Sequence, residues 1–165
     1  MPRRRRPRHD PVEQALLARL KAVYAEVEEA YAGHRCEGST ECCRFAITGR
    51  EPYVTSIEVL AVQRAVAARG GPLKEKKRAL PIAHRGRDEE RVCPLLDEGA
   101  RCAIYADRPL GCRTFWCHRT TRDRAIDQKE LNGFVRQVQQ IATEHDHGGD
   151  KGRPLTRALA ELGLS

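Results

Sequence analysis

Apolar residues first repeat along the chain at intervals of three and four after residue 10, which places them on one face of a helix. Asp10, Pro11 and Glu13 stand at its start as a capping side chain, a first-turn proline and an acid at the positive end of the helix dipole. The pattern predicts a helix that ends near Gly33. Its apolar face consists of Val12, Leu16, Leu20, Val23, Val27 and Ala30.

A second helical pattern begins at Thr55 or Ser56, where Glu58 is placed to support the first turn, and ends at Gly70 and Gly71. The apolar positions of this helix are Ile57, Leu60, Ala61 and Ala65. Between the two predicted helices, residues 45–53 include a glycine and a proline, and we expect an irregular or short extended segment there.

The clearest helical stripe of the sequence lies between residues 126 and 141. It is formed by Ile126, Leu131, Phe134, Val135, Val138 and Ile141. A short terminal helix is predicted from about Pro154 to Leu162.

Short apolar runs at residues 92–96 and 102–105 flank the turn-prone sequence Asp-Glu-Gly-Ala at 97–100. This pattern predicts a β-hairpin, which would bring together Cys93 and Cys102. The sequence Asp-Arg-Pro at 107–109 then predicts a capped helical turn. The fold class that follows is α+β and mostly helical: a small single domain of about four helices with a short β-hairpin and cysteine-bearing loops around a metal site.

The positive charge is concentrated at the N-terminus. Residues 1–9 contain five arginines and no acidic residue, so the net charge of +7 falls to +2 for the rest of the chain. We expect residues 1–9 to form a disordered tail and residues 10–165 a single domain. The tail is either a solvated terminus or a non-specific contact for nucleic acid or acidic lipid. A mixed-charge stretch at residues 74–91 is interpreted as an exposed loop.

No apolar run follows the arginines, and none elsewhere is long enough for a membrane span, so we expect a cytoplasmic protein without membrane contact. A cytoplasmic location argues against disulfides among the seven cysteines, because a reducing compartment keeps thiols free. An odd number of cysteines also cannot pair completely. They form two groups: Cys36, Cys42 and Cys43, then Cys93, Cys102, Cys112 and Cys117. Such grouping favours thiolate metal binding over packing.

The number and spacing of the thiols leave the metal open. Seven thiols exceed one zinc site, and adjacent residues such as Cys42 and Cys43 usually project in different directions, which favours a cluster or two ions. Spacing alone fits an iron-sulfur cluster or a zinc or iron ion. His34 and His118 flank the groups as further candidates. Amides of the turns at Gly99 and Gly111 are expected to donate to sulfur.

Three segments in the second half carry the most specific motif: Cys-Pro-Leu-Leu at 93–96, Cys-Ala-Ile-Tyr at 102–105, and Arg-Pro-Leu-Gly-Cys-Arg-Thr-Phe at 108–115. Together with Cys-Cys-Arg-Phe at 42–45, they resemble the YkgJ-type cysteine-cluster family over residues 34–118. The resemblance implies a zinc- or iron-chelating domain. The sequence departs from the family at Ser39, where the first motif usually has a cysteine.

The charged neighbours have expected roles too: Asp107 caps the turn, and Arg108 and Arg113 offset thiolate charge. The function predicted is a metal-binding protein holding zinc, iron or an iron-sulfur cluster. Two alternatives stay open. One is a protein-modifying enzyme, since the flagellin lysine methylase has a similar cysteine cluster; the other is a zinc-stabilised adaptor for nucleic acid or protein.

Overall fold

The computed structural model describes residues 10–33, 40–71, 92–97, 99–115, 127–147 and 150–164. The helices are α1 (Pro11–Ala30), α2 (Phe45–Thr48), α3 (Ser56–Ala68), α4 (Leu110–Arg113), α5 (Gln128–His145) and α6 (Leu155–Glu161). The strands are β1 (Tyr53–Val54) and β2 (Arg153–Pro154), and 3₁₀ turns lie at Glu41–Cys43 and Tyr105–Asp107. The predicted mostly helical α+β fold is confirmed. No helix within these ranges has the length and apolar character needed to cross a membrane.

The first predicted helix starts at its predicted cap, since the Val12 amide donates to Asp10 Oδ1 over 2.9 Å. Its predicted apolar face is buried from Leu16 to Val27, and Leu17 and Tyr24 also belong to that face, whereas Ala30 is exposed. Val12, in the first turn, is 62% exposed and lies outside the core.

Helix α3 begins with the predicted capping box, in which the Thr55 amide donates to Glu58 Oε2 over 2.9 Å. It ends before Gly70 and Gly71, which both have positive φ. The face that it buries is wider than predicted, because α3 lies between two apolar clusters. Ile57 packs into one cluster, whereas Val59, Val62 and Val66 pack into the other.

The two clusters divide the molecule. The helical cluster joins α1 and α5 with single residues from α3 and α4, and includes Leu20, Phe134 and Val138. The second cluster, here called the cysteine cluster, contains Phe45 of α2, residues of α3 and α6, and the buried Cys93. Three further thiols pack against it, those of Cys43, Cys102 and Cys112.

In the described part of residues 92–105, the chain reverses direction as the predicted hairpin requires, but it forms no regular strands there. Leu96 and Cys102 form a single antiparallel bridge, and the Ala103 amide donates to the Leu95 carbonyl over 2.8 Å. The paired strands are instead β1 and β2, with Tyr53 opposite Pro154. The segment 45–53 also differs from the expectation, since its first four residues form α2. The predicted tail and the charged stretch 74–91 lie outside the described residues.

Candidate metal centre

Five of the seven predicted ligands lie in the described residues, and all five are free thiols. They are Cys42, Cys43, Cys93, Cys102 and Cys112. The other candidates, Cys36, Cys117, His34 and His118, and the family position Ser39 lie outside the described residues.

The adjacent thiols of Cys42 and Cys43 lie close together, with 4.0 Å between their sulfur atoms. The expectation that neighbouring cysteines diverge is therefore wrong at this position. The reason is the 3₁₀ turn Glu41–Cys43, in which successive side chains are rotated by about 120° rather than placed on opposite faces. Zn–S bonds of about 2.3 Å in a tetrahedron place sulfur atoms about 3.8 Å apart. This pair therefore has the spacing of two ligands on one ion.

Backbone contacts connect the two cysteine groups. The Cys93 amide donates to the Cys43 carbonyl over 2.8 Å, and Arg44 and Val92 form an antiparallel bridge. A second antiparallel bridge, between Leu96 and Cys102, brings Cys102 to the cysteine cluster as well. These contacts bring thiols that are some fifty residues apart in sequence into the same part of the fold.

Helix α4 brings Cys112 to the site through a close approach to the segment before β1. A Cβ atom on Gly111 would lie only 2.9 Å from Pro52 Cβ, so glycine is required for this contact. Cys112 follows directly and packs against the cysteine cluster.

Backbone amides two residues farther along the chain favour the ionised form of two thiols. The backbone of Leu95 acts to lower the pKa of Cys93, and that of Ile104 acts to lower the pKa of Cys102, although burial raises both overall. These backbone groups are not those of the turns at Gly99 and Gly111 that the sequence suggested. Amide donors stabilise a thiolate and orient it, as they do around metal-bound sulfur.

Burial is the largest influence on the pKa values of Cys93, Cys102 and Cys112. It raises the pKa of Cys93 to about 12 and the pKa of Cys112 well above its ordinary value. Mutual repulsion contributes further, because the thiolates of Cys93, Cys102 and Cys42 all raise the pKa of Cys112. For Cys42 and Cys43, the hydrogen bond between the two thiols lowers the pKa of Cys42 and raises that of Cys43. Thiolates gathered in this way need a cation beside them.

Arg108 is placed to supply part of that positive charge. Its charge lowers the pKa of both Cys42 and Cys102, although other factors are larger for each. Its guanidinium lies 3.9 Å from the centre of the Tyr105 ring and donates to the Tyr105 carbonyl over 2.9 Å. The charge-offsetting role expected for Arg108 therefore agrees with its position.

Arg113, for which the same role was expected, has a different environment. It is buried, pairs with Glu28, donates to the carbonyls of Ala106 and Arg108, and lies over the Tyr24 ring. Its contacts thus hold α4 to α1 rather than balance the thiols.

The expected cap of α4 is also different. The Leu110 amide, at the start of α4, donates to Glu58 Oε1 over 2.8 Å, and Asp107 makes no side-chain cap. Sequence reasoning missed this role of Glu58, because a capping box explains a glutamate at that position without a distant partner.

Within the described ranges, no three His, Cys, Asp or Glu side chains converge into a complete site for a metal ion. The Cys42–Cys43 pair has ligand spacing, and the other three thiols lie within electrostatic range of it. Thiolate sulfur is a suitable ligand for both zinc and iron.

Comparison with known proteins agrees with this chemistry. A protein-family model named CxxCxxCC matches residues 35–134. In this chain, Cys36, Ser39, Cys42 and Cys43 stand at the spacing of that name. No curated protein and no solved structure matches the chain. The match spans more than half of the sequence, and the chain belongs to the CxxCxxCC family, described as a "putative zinc- or iron-chelating domain".

Proposed function

We propose that this protein binds a single zinc or iron ion through cysteine thiolates drawn from both cysteine groups. The ligands come from Cys42, Cys43, Cys93, Cys102 and Cys112, with Cys36 and Cys117 as further candidates. The observation that carries the proposal is the 4.0 Å separation of the Cys42 and Cys43 sulfurs, in a turn whose last carbonyl accepts from the Cys93 amide.

This spacing favours one ion over a [4Fe–4S] cluster. A cluster of that type has four irons for four thiolates, which spreads the cysteines around it, whereas a tetrahedral ion takes sulfurs about 3.8 Å apart. The adjacent pair fits the second arrangement. A bound ion would offset part of the charge of the gathered thiolates and would connect segments that are distant in sequence.

The chain's own residues prepare this binding. The backbone of Leu95 and of Ile104 favours the ionised form of Cys93 and Cys102, and Arg108 offsets part of the negative charge of Cys42 and Cys102. Because burial holds the proton on Cys112 and Cys93, binding must release protons to solvent. The affinity for the ion therefore rises with pH.

Metal and acid-labile sulfide analysis, with a visible spectrum, tests the proposal on protein purified without oxygen and without a metal-bearing resin. One zinc or iron per chain without sulfide supports it. Iron with stoichiometric sulfide would overturn the single-ion proposal while keeping the thiolate ligands. Protein that contains no metal and takes up neither zinc nor iron(II) on titration would overturn metal binding itself.

A further inference from the structure

Glu58 is a buried carboxylate at the junction of three helices. Only 2% of the residue is exposed, and the two carboxylate oxygens accept four hydrogen bonds. Oε2 accepts from the amide and the hydroxyl of Thr55, both over 2.9 Å. Oε1 accepts from the Leu110 amide over 2.8 Å and from the Tyr24 hydroxyl over 3.1 Å. Glu58 thus connects α3 with α1 and α4.

The two oxygens serve different elements. The contacts of Oε2 complete the capping box of α3 and are local in sequence. The contact of Oε1 with Leu110 spans 52 residues and is not needed for the start of α3. Helix α4 has four residues and no side-chain cap of its own, and so short a helix does not hold itself in water. The cap that it lacks comes from Glu58.

Cys112 lies in α4, two residues beyond Leu110, and each of the other three residues of this helix has an anchor outside it. Leu110 is held by Glu58, Gly111 contacts Pro52, and Arg113 pairs with Glu28. The position of the Cys112 sulfur is therefore set by contacts with α1, α3 and the segment before β1. Of these three contacts, the one with Glu58 is the one that comes from α3.

We propose that Glu58 is a positioning residue of the metal centre, which holds α4 in the orientation that presents Cys112 to the ion. This inference rests on the proposed function, in which Cys112 is a ligand. Substitution of a residue that only orients a metal ligand typically lowers the affinity for the metal by about 10–100-fold. We expect a loss in this range when the Glu58 contact with Leu110 is removed.

Cobalt(II) titration of the reduced, metal-free full chain tests the inference, because thiolate-bound cobalt has a charge-transfer absorption that reports its ligands. The variants are Glu58→Gln and Glu58→Ala. In the glutamine variant the new NH₂ group must face one of the two backbone amides that now donate to the carboxylate, so one contact is lost. The alanine variant removes both. Thr55→Val is the matched control, because it removes a donor to Oε2 and leaves the Leu110 contact intact.

We expect Glu58→Ala to lower cobalt affinity by 10-fold or more, and Thr55→Val to change it less than about twofold although it destabilises the fold. If Glu58→Ala does not fold, Glu58→Gln takes its place. The decisive comparison is the same substitution in a Cys112→Ser background, where the effect on affinity should disappear because the residue acts through Cys112.

The outcomes separate the inference from the proposed function. If Cys112→Ser leaves cobalt affinity and the absorption band unchanged, Cys112 is not a ligand and that part of the proposed function fails. If Cys112→Ser lowers affinity but neither Glu58 variant does, the inference alone is overturned. An equal loss from the Glu58 substitution with and without Cys112 would also overturn it, since the effect would then be one of general stability.

Discussion

The helical cluster and the cysteine cluster are held together in different ways. Helices α1 and α5, of 20 and 18 residues, pack through fully buried apolar side chains such as Leu20. The five described cysteines of the other half lie in or beside a 3₁₀ turn, a single-turn helix and isolated bridges, which individual backbone hydrogen bonds connect. Both halves bury apolar side chains, including Phe45 and Leu159 in the second, but the placement of the thiols in the second half depends on few contacts. A bound ion would therefore contribute most to the order of the cysteine half.

The largest expected effect on stability comes from the helical half. Leu20→Ala removes a side chain with no exposed surface and should lower the free energy of unfolding by about 3 kcal/mol, within the usual 2–5 kcal/mol for such changes. Urea denaturation with and without zinc measures it. The same loss in both conditions is expected, together with unchanged zinc affinity in the folded protein. A loss confined to the zinc-bound form would contradict the division into two halves.

The second prediction concerns the ligands of the cysteine half. Serine at Cys93, Cys102 or Cys112 should lower metal affinity by more than about 100-fold, beyond the range for residues that merely orient a ligand. Stability in the presence of metal should fall with it, measured by competition with a chelator and by thermal unfolding. Cys117→Ser is the comparison and should have a smaller effect. Full metal occupancy in Cys112→Ser would refute the assignment of that residue.

A smaller effect is expected from the ionisation of Glu58, which lies between the two halves. Burial raises the pKa of this carboxyl above 4.5, although hydrogen bonds from Thr55 and Leu110 oppose the rise. The folded protein then keeps the proton to a higher pH than the unfolded chain. The contribution of the Glu58 carboxyl to the free energy of unfolding is complete below its pKa in the unfolded chain. It is lost as the pH rises through its pKa in the folded protein.

Glutamine does not titrate, so Glu58→Gln isolates this effect. The unfolding free energy of the metal-free wild type, minus that of the variant, should decrease as pH rises from about 4.5. Urea denaturation at several pH values measures the difference. A difference that increases over that interval would show that the hydrogen bonds outweigh burial and hold the folded carboxyl ionised.

The smallest effect on either half is expected from removal of residues 1–9. Stability should change by less than about 0.5 kcal/mol, and metal affinity should not change. Non-specific binding to DNA should weaken, because most of the excess positive charge is removed with five arginines. Binding measured at low and at high salt provides the control. Unchanged DNA binding at low salt would rule out the tail as the contact.

The sequence predicted local features better than distant ones. The start of α1 at Asp10 and the capping box of α3 follow from neighbouring residues, and the chain reversal at 97–100 follows from its turn sequence. The pairing of β1 with β2 was missed, since two-residue strands a hundred residues apart leave no periodic pattern.

The candidate site shows the same limit. Grouped cysteines identified the chemistry, and the family match over residues 35–134 agrees with it. The close Cys42–Cys43 pair was missed because its 3₁₀ turn is not visible in the spacing of the residues. The cap of α4 by Glu58 was missed because it is a tertiary contact. Both features decide how the thiols are presented, which residue spacing alone does not determine.

Amide hydrogen exchange, compared between metal-free and zinc-bound protein at one pH, tests most directly whether the ion orders the cysteine half. We predict slower exchange with zinc at residues 42–44 and 92–112, including the Cys93 amide that donates to the Cys43 carbonyl, with little change in the middle of α1 and α5. Equal exchange in both forms, or protection that increases only in α1 and α5, would contradict it.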